Sequence, residues 1–129
     1  MGAPKQQAVT IEELNQLIWE HLEERDWNKD TSRGTAISLS LEASELLEHY
    51  QWSDTPVGGS EAVGEELADI FIYGMQIAQQ NNIDIASHIK RKLEKAALKY
   101  PASDFKGKDK AEQRKAWMNR KLNHKKEGL

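Results

Sequence analysis

Apolar residues return every three or four positions through this chain, in stretches separated by short polar or glycine-rich breaks, and no segment alternates convincingly as a half-buried strand would. That period predicts an all-α protein. Ile11, Leu14, Ile18 and Leu22 mark one face of a first helix, which opens on the capping-box pair Thr10 and Glu13 and ends near Trp27. The polar run NKDTSRG reads as a loop, and a second helix follows from about Thr35 to Trp52. After the break SDTPVGGS, Ser60 is placed to cap a third helix, about Glu61 to Gln80, with Val63, Leu67, Ile70, Phe71 and Ile77 on its buried side. Asp84 suits the start of a fourth helix through Lys99, which Pro101 stops. Asp109 and Glu112 then begin a basic fifth helix carrying Trp117. Short connections between helices of similar length predict an antiparallel four-helix bundle over residues 1–105, extended by a basic helix over 106–129.

A length of 129 residues suits one domain with a real core. Charged residues make up 30% of the chain and the mean hydropathy is -0.77. No apolar run is long enough to cross a bilayer, and no charged-then-apolar leader is seen, so a soluble protein without membrane partners is expected. The absence of cysteine excludes disulfides, thiolate metal sites and a thiol nucleophile, and makes a cytoplasmic location the default expectation. The net charge of -3 conceals an asymmetry, because Lys106 to Glu127 holds nine Lys or Arg against three acids. Such a run reads first as a solvated end helix. Nucleic acid is not the expected partner, although a non-enzymatic helical dimer using this tail on nucleic acid or a protein is a competing reading.

The chemistry lies in the acids. Glu42 and Glu45 are three residues apart and share one helix face, which His49 and Trp52 extend. Glu66 and Asp69 repeat that spacing on the third helix, with Tyr73 one turn further on. Antiparallel neighbours would set the two pairs face to face. Four carboxylates so placed repel one another unless they hold a cation or take up protons. An all-oxygen set suits Mg²⁺ or Mn²⁺ rather than zinc, and such an ion orients phosphate oxygens and activates water. Spacing alone also fits surface acids on amphipathic helices. A di-iron bundle is excluded, since none of His21, His49, His88 and His124 has a Glu three positions before it.

The segment LEASELLEHYQW followed by EELADIFIY resembles the MazG-like all-α nucleoside triphosphate pyrophosphohydrolases, and within them the dCTP pyrophosphatase branch. Their E-x-x-E pair, variable spacer and E-x-x-D pair correspond here to Glu42/Glu45, twenty residues, and Glu66/Asp69. The likeness runs from ERDW, Glu24 to Trp27, through KLEKAALKYP, Lys92 to Pro101. It implies hydrolysis of a (deoxy)nucleoside triphosphate to monophosphate and pyrophosphate, a dCTP-like substrate, and a part in nucleotide-pool control. Glu42, Glu45, Glu66 and Asp69 match the catalytic metal ligands, with Mg²⁺ as the ion and Mn²⁺ as a substitute. Trp27 and Trp52 match aromatic positions of the base pocket, and Tyr73 a tyrosine near the substrate. Arg33 is the only match in the loop after RDW, while Lys92, Lys99 and Tyr100 match a basic element near the phosphates. The resemblance also implies a homo-oligomer, dimer or tetramer. The loop NKDTSRGT and Ala96 depart from the branch's pattern where base or sugar recognition is expected. They bear on base preference rather than reaction type, and leave dUTP or phosphoribosyl-ATP as alternative substrates.

Overall fold

In a computed structural model, the structure describes residues 8–126. Residues 1–7 and 127–129, which include the leader position, the outer ends of both predicted segments and Glu127 of the basic run, lie outside the described residues. Among the described residues there are five α-helices and no strand: α1 (Ile11–Glu23), α2 (Ser32–Glu48), α3 (Gly59–Gln80), α4 (Ile85–Lys99) and α5 (Lys110–Lys126). None is long and apolar enough to cross a membrane. The chain packs as two units, one through Ile85 and one from Ala86 onward.

In the first unit the capping pattern works as expected, with the Glu13 N–H donating to the Thr10 hydroxyl at 3.1 Å. The helix stops at Glu23, short of Trp27, because Asp26 takes a left-handed conformation, φ 58°. Aspartate tolerates that region through its short polar side chain. The turn sets Trp27 in a 3₁₀ segment, Trp27–Lys29, off the axis of α1. α2 begins three residues before the expected Thr35, because the Thr31 hydroxyl accepts the Gly34 N–H at 3.1 Å. A side-chain cap contributes about 1 kcal/mol, which offsets the similar helix penalty of Gly34. α2 also stops at Glu48. The Val57 N–H donates to the His49 carbonyl at 3.0 Å and folds the following loop back, leaving Tyr50 to Trp52 outside the helix. α3 starts at Gly59 with Gly58 as its N-cap, so Ser60 lies inside the first turn instead of capping it.

The starts of α1 and α2 both meet the end of α3. Gln79 donates to the Asn15 carbonyl at 2.8 Å, Gln80 to the Asp30 carbonyl and the Thr35 hydroxyl at 3.0 Å each, and Asn81 to the Ser32 hydroxyl at 2.9 Å. At the other end His49 reaches Glu66, so α2 and α3 run antiparallel. Leu22, Met75 and Ala78 are buried, together with the polar Thr35 and Gln76. Phe71 and Leu67, expected on the buried side of α3, are 63% and 39% exposed. α3 turns Glu66, Asp69, Tyr73 and Gln76 toward the α1–α2 side, and at 3.6 residues per turn this rotates Phe71 away.

In the second unit Tyr100 stacks on Trp117 at 6.3 Å with the rings 9° from parallel, and meets Phe105 edge-on at 6.1 Å. Arg120 holds the Asp104 carboxylate through Nε at 2.9 Å and a terminal nitrogen at 2.8 Å, fastening α5 to the 3₁₀ turn Ala102–Asp104. Asp109 caps α5 as expected, accepting the Glu112 N–H at 2.8 Å.

Candidate metal centre and adjoining cavity

Helical spacing sets Ser38, Glu42 and Glu45 along one side of α2, and Glu66, Asp69, Tyr73 and Gln76 along one side of α3. Antiparallel packing then gathers Glu42, Glu45 and Glu66, each with an oxygen within 4.8 Å of the other two. The repulsion is visible in Glu42. A hydrogen bond shared with Glu45, partial burial, and the charges of Glu45, Asp69 and Glu66 raise its pKa from 4.5 to about 7. Glu42 Oε2 and Glu66 Oε2 are buried with no hydrogen-bond partner. Buried carboxylate oxygens without donors are costly, so this donor set fits a hard divalent cation.

Asp69 stands outside the tight group, one turn from Glu66, though its charge acts on Glu42. It lines a cavity of about 810 Å³ together with Tyr73, Gln76, Thr35, His21 and Trp27. Trp27, 51% exposed, is held edge-on by His21 at 6.0 Å and has the Arg25 guanidinium 5.9 Å from its ring centre. A smaller cavity of about 470 Å³ is lined by Glu45, Glu66, His49, Val57 and Trp52. Within one chain, therefore, the two tryptophans expected in one base pocket line different cavities, and Trp52 is 85% exposed.

Tyr73 joins Trp27 and Asp69 on the larger cavity. Arg33 is exposed in the first turn of α2 and lines neither cavity, whereas Lys29, not singled out from the sequence, lines the larger one. Lys92, Lys99 and Tyr100 belong to the second unit. There Lys92 is exposed on α4, the Lys99 ammonium lies 5.4 Å from the Tyr100 ring centre, and that ring is packed against Trp117 and Phe105. Sequence reading also missed His21 and Gln76. Gln76 could have been found by carrying the Asp69–Tyr73 line one turn further.

Residues 37–113 match the MazG-like family. Among the relatives, dCTP pyrophosphatase 1 of Mus musculus is 32% identical over 101 residues, covering 71% of this chain and 59% of that protein. The Homo sapiens dCTP pyrophosphatase 1 is 31% identical over 102 residues, covering 72% and 60%. The chain thus spans about three fifths of the length of these curated relatives. The crystal structure of a pyrophosphatase from Archaeoglobus fulgidus superposes with a TM-score of 0.65 at 31% identity, covering 77% of this chain and 99% of that one. The family match takes in Glu42, Glu45, Glu66 and Asp69 and more than half of the residues, and the chain belongs to the MazG-like family.

Proposed function

We propose that this protein hydrolyses a (deoxy)nucleoside triphosphate, with dCTP-like substrates favoured, to the monophosphate and pyrophosphate. The observation that carries this reading is the acid group itself: three converging carboxylates with two orphaned buried oxygens, beside an Asp69-lined cavity that also holds Trp27. In the reaction the oxygen of a water bonds to the α-phosphorus, the bridging bond to the β-phosphate breaks, and pyrophosphate leaves. A divalent ion, Mg²⁺ or Mn²⁺, on Glu42, Glu45, Glu66 and Asp69 would supply positive charge against the triphosphate and make water more acidic. Trp27 offers its ring to the base, and Tyr73 lines the same cavity one turn beyond Asp69 on α3. Uptake of a cation by these carboxylates would release the proton shared by Glu42 and Glu45.

The same reading includes a homo-oligomer, dimer or tetramer. It is supported by apolar side chains left exposed in the single chain, among them Trp52 at 85%, Val57, Leu47 and Leu41. Trp52 from a second copy would then complete the base pocket that Trp27 begins. The decisive experiment incubates the protein with Mg²⁺ and a panel of nucleoside triphosphates and resolves the products. Pyrophosphate with monophosphate is expected, and stepwise release of single phosphates, or no turnover of any nucleotide, would sink the proposal.

A further inference from the structure

Three glutamines lie near the end of α3, and the NH₂ groups of two of them hold the helices together, while their carbonyl oxygens are buried away from the larger cavity without a partner. Gln79 donates to the Asn15 carbonyl, and Gln80 to the Asp30 carbonyl and the Thr35 hydroxyl. Thr35 is saturated in turn, because its hydroxyl also donates to the Thr31 carbonyl at 3.1 Å. Gln76 is different. It is 4% exposed and lines the larger cavity, yet its amide takes no part in the hydrogen bonds that tie its neighbours. Buried amides are ordinarily paired, so an amide facing a cavity without a protein partner points to a partner that arrives with a ligand.

Position narrows what that partner is. Gln76 lies seven residues beyond Asp69 on the same side of α3, which is roughly 10 Å along the helix at 1.5 Å per residue. A nucleotide spans a comparable length between its α-phosphate and the far edge of its base. Tyr73 lies between the two on the same wall, and Trp27 supplies an aromatic face to the same cavity. With phosphates at the acid end, the base edge falls beside Gln76.

We infer that Gln76 is a specificity-determining residue that reads the Watson–Crick edge of a pyrimidine base, an inference that rests on the pyrophosphohydrolase reading above. Its amide offers one acceptor and one donor side by side. The carbonyl accepts from the 4-amino group of cytosine while the NH₂ donates to N3. By rotating about its last bond, the same amide serves the 4-carbonyl and N3–H of uracil. Gln76 therefore selects for a pyrimidine edge carrying both polar groups, and against one from which either is missing, because the missing group leaves half the amide unpaired in a buried site.

The test compares dCTP with the triphosphate of deoxyribosyl pyrimidin-2-one, which is dCTP without its 4-amino group. In the wild-type protein kcat/KM should fall about tenfold or more between the two. In Gln76→Met, of similar length but without hydrogen-bonding groups, the ratio should shrink to within about threefold. The ratio is unaffected by how much of the variant is folded, so a loss of stability cannot mimic the result. An unchanged ratio in Gln76→Met, or turnover confined to purine triphosphates, overturns the inference while leaving pyrophosphohydrolysis standing. Absence of pyrophosphate release from every nucleotide removes both.

Discussion

His49 at the end of α2 places its Nε2 3.6 Å from Glu66 Oε1 on α3, with the two side chains only 20% and 19% exposed. The separation is beyond hydrogen-bond range, but close enough for the ring to orient the carboxylate. It engages the Oε1 side of Glu66, whose other oxygen, Oε2, has no partner. A group that orients a ligand carboxylate in this way typically changes metal affinity by about 10–100-fold. His49→Leu should weaken Mn²⁺ binding about tenfold with the helical circular dichroism retained, while His49→Gln, which keeps a donor, should recover part of the loss. Equal affinity in wild type and His49→Leu would show that the contact is incidental.

Packing beside that ring makes Gly58 sensitive. A Cβ there would stand 2.6 Å from the Ala62 Cβ and 3.1–3.2 Å from two atoms of the His49 ring. Gly58→Ala should therefore destabilise the fold by about 1–3 kcal/mol, read as a lower urea midpoint, because the start of α3 must shift to relieve the overlap. It should also weaken Mn²⁺ binding, since the ring of His49 moves with it.

Glu42 sets a pH dependence. Its pKa is raised from 4.5 to about 7, first by the hydrogen bond with Glu45, then by burial and the neighbouring carboxylates. The folded protein binds this proton more tightly than the unfolded chain, so without metal its stabilising effect is full below about 4.5 and is lost as pH rises to about 7. Thermal melting in a chelator should follow that direction. Adding Mg²⁺ should reverse the trend, because cation binding displaces the proton and strengthens as pH approaches neutrality. Calorimetry in buffers of different ionisation enthalpy should detect proton release on Mg²⁺ binding at pH 6 and less at pH 8.

Removing the charge separates stability from function. Glu42→Gln relieves the crowding of Glu45, Glu66 and Asp69, so the metal-free variant should melt higher than wild type at pH 8. Pyrophosphate release should fall by at least about 100-fold, and the rise in melting temperature on adding Mg²⁺ should shrink. Wild-type turnover in this variant would remove Glu42 from the metal site.

Trp27 and Trp52 line different cavities of one chain, which makes the proposed oligomer testable through them. If Trp52 serves the pocket of a neighbouring copy, Trp27→Ala and Trp52→Ala should each lose activity alone. Co-refolding the two variants should restore part of it, because mixed assemblies contain some sites with both rings intact. Restoration absent from a verified mixed oligomer would confine both rings to one chain.

Helix content and the acid pairs were legible from local spacing, because residues three apart share a helix face wherever the helix is placed. Glu42 with Glu45 and Glu66 with Asp69 needed nothing more, and Thr10 and Asp109 announced their caps. Local reading failed at Ser32 to Gly34, where a glycine and polar residues looked like a loop although the Thr31 hydroxyl was available to start the helix. It failed again at Phe71, whose burial depended on which way α3 turns.

The amino-acid order by itself determined the helices, their acidic faces and membership in a carboxylate-bearing family. Gathering Glu66 with Glu42 and Glu45, and leaving Asp69 facing the adjoining cavity, required the antiparallel register of α2 against α3. That register also sorted two tryptophans that look alike in sequence into separate cavities, and left Gln76 unpaired between engaged neighbours. Spacing along a helix is a local property, whereas the meeting of two helices is set by burial and long-range hydrogen bonds such as those of Gln79 and Gln80, which no short stretch of chain contains.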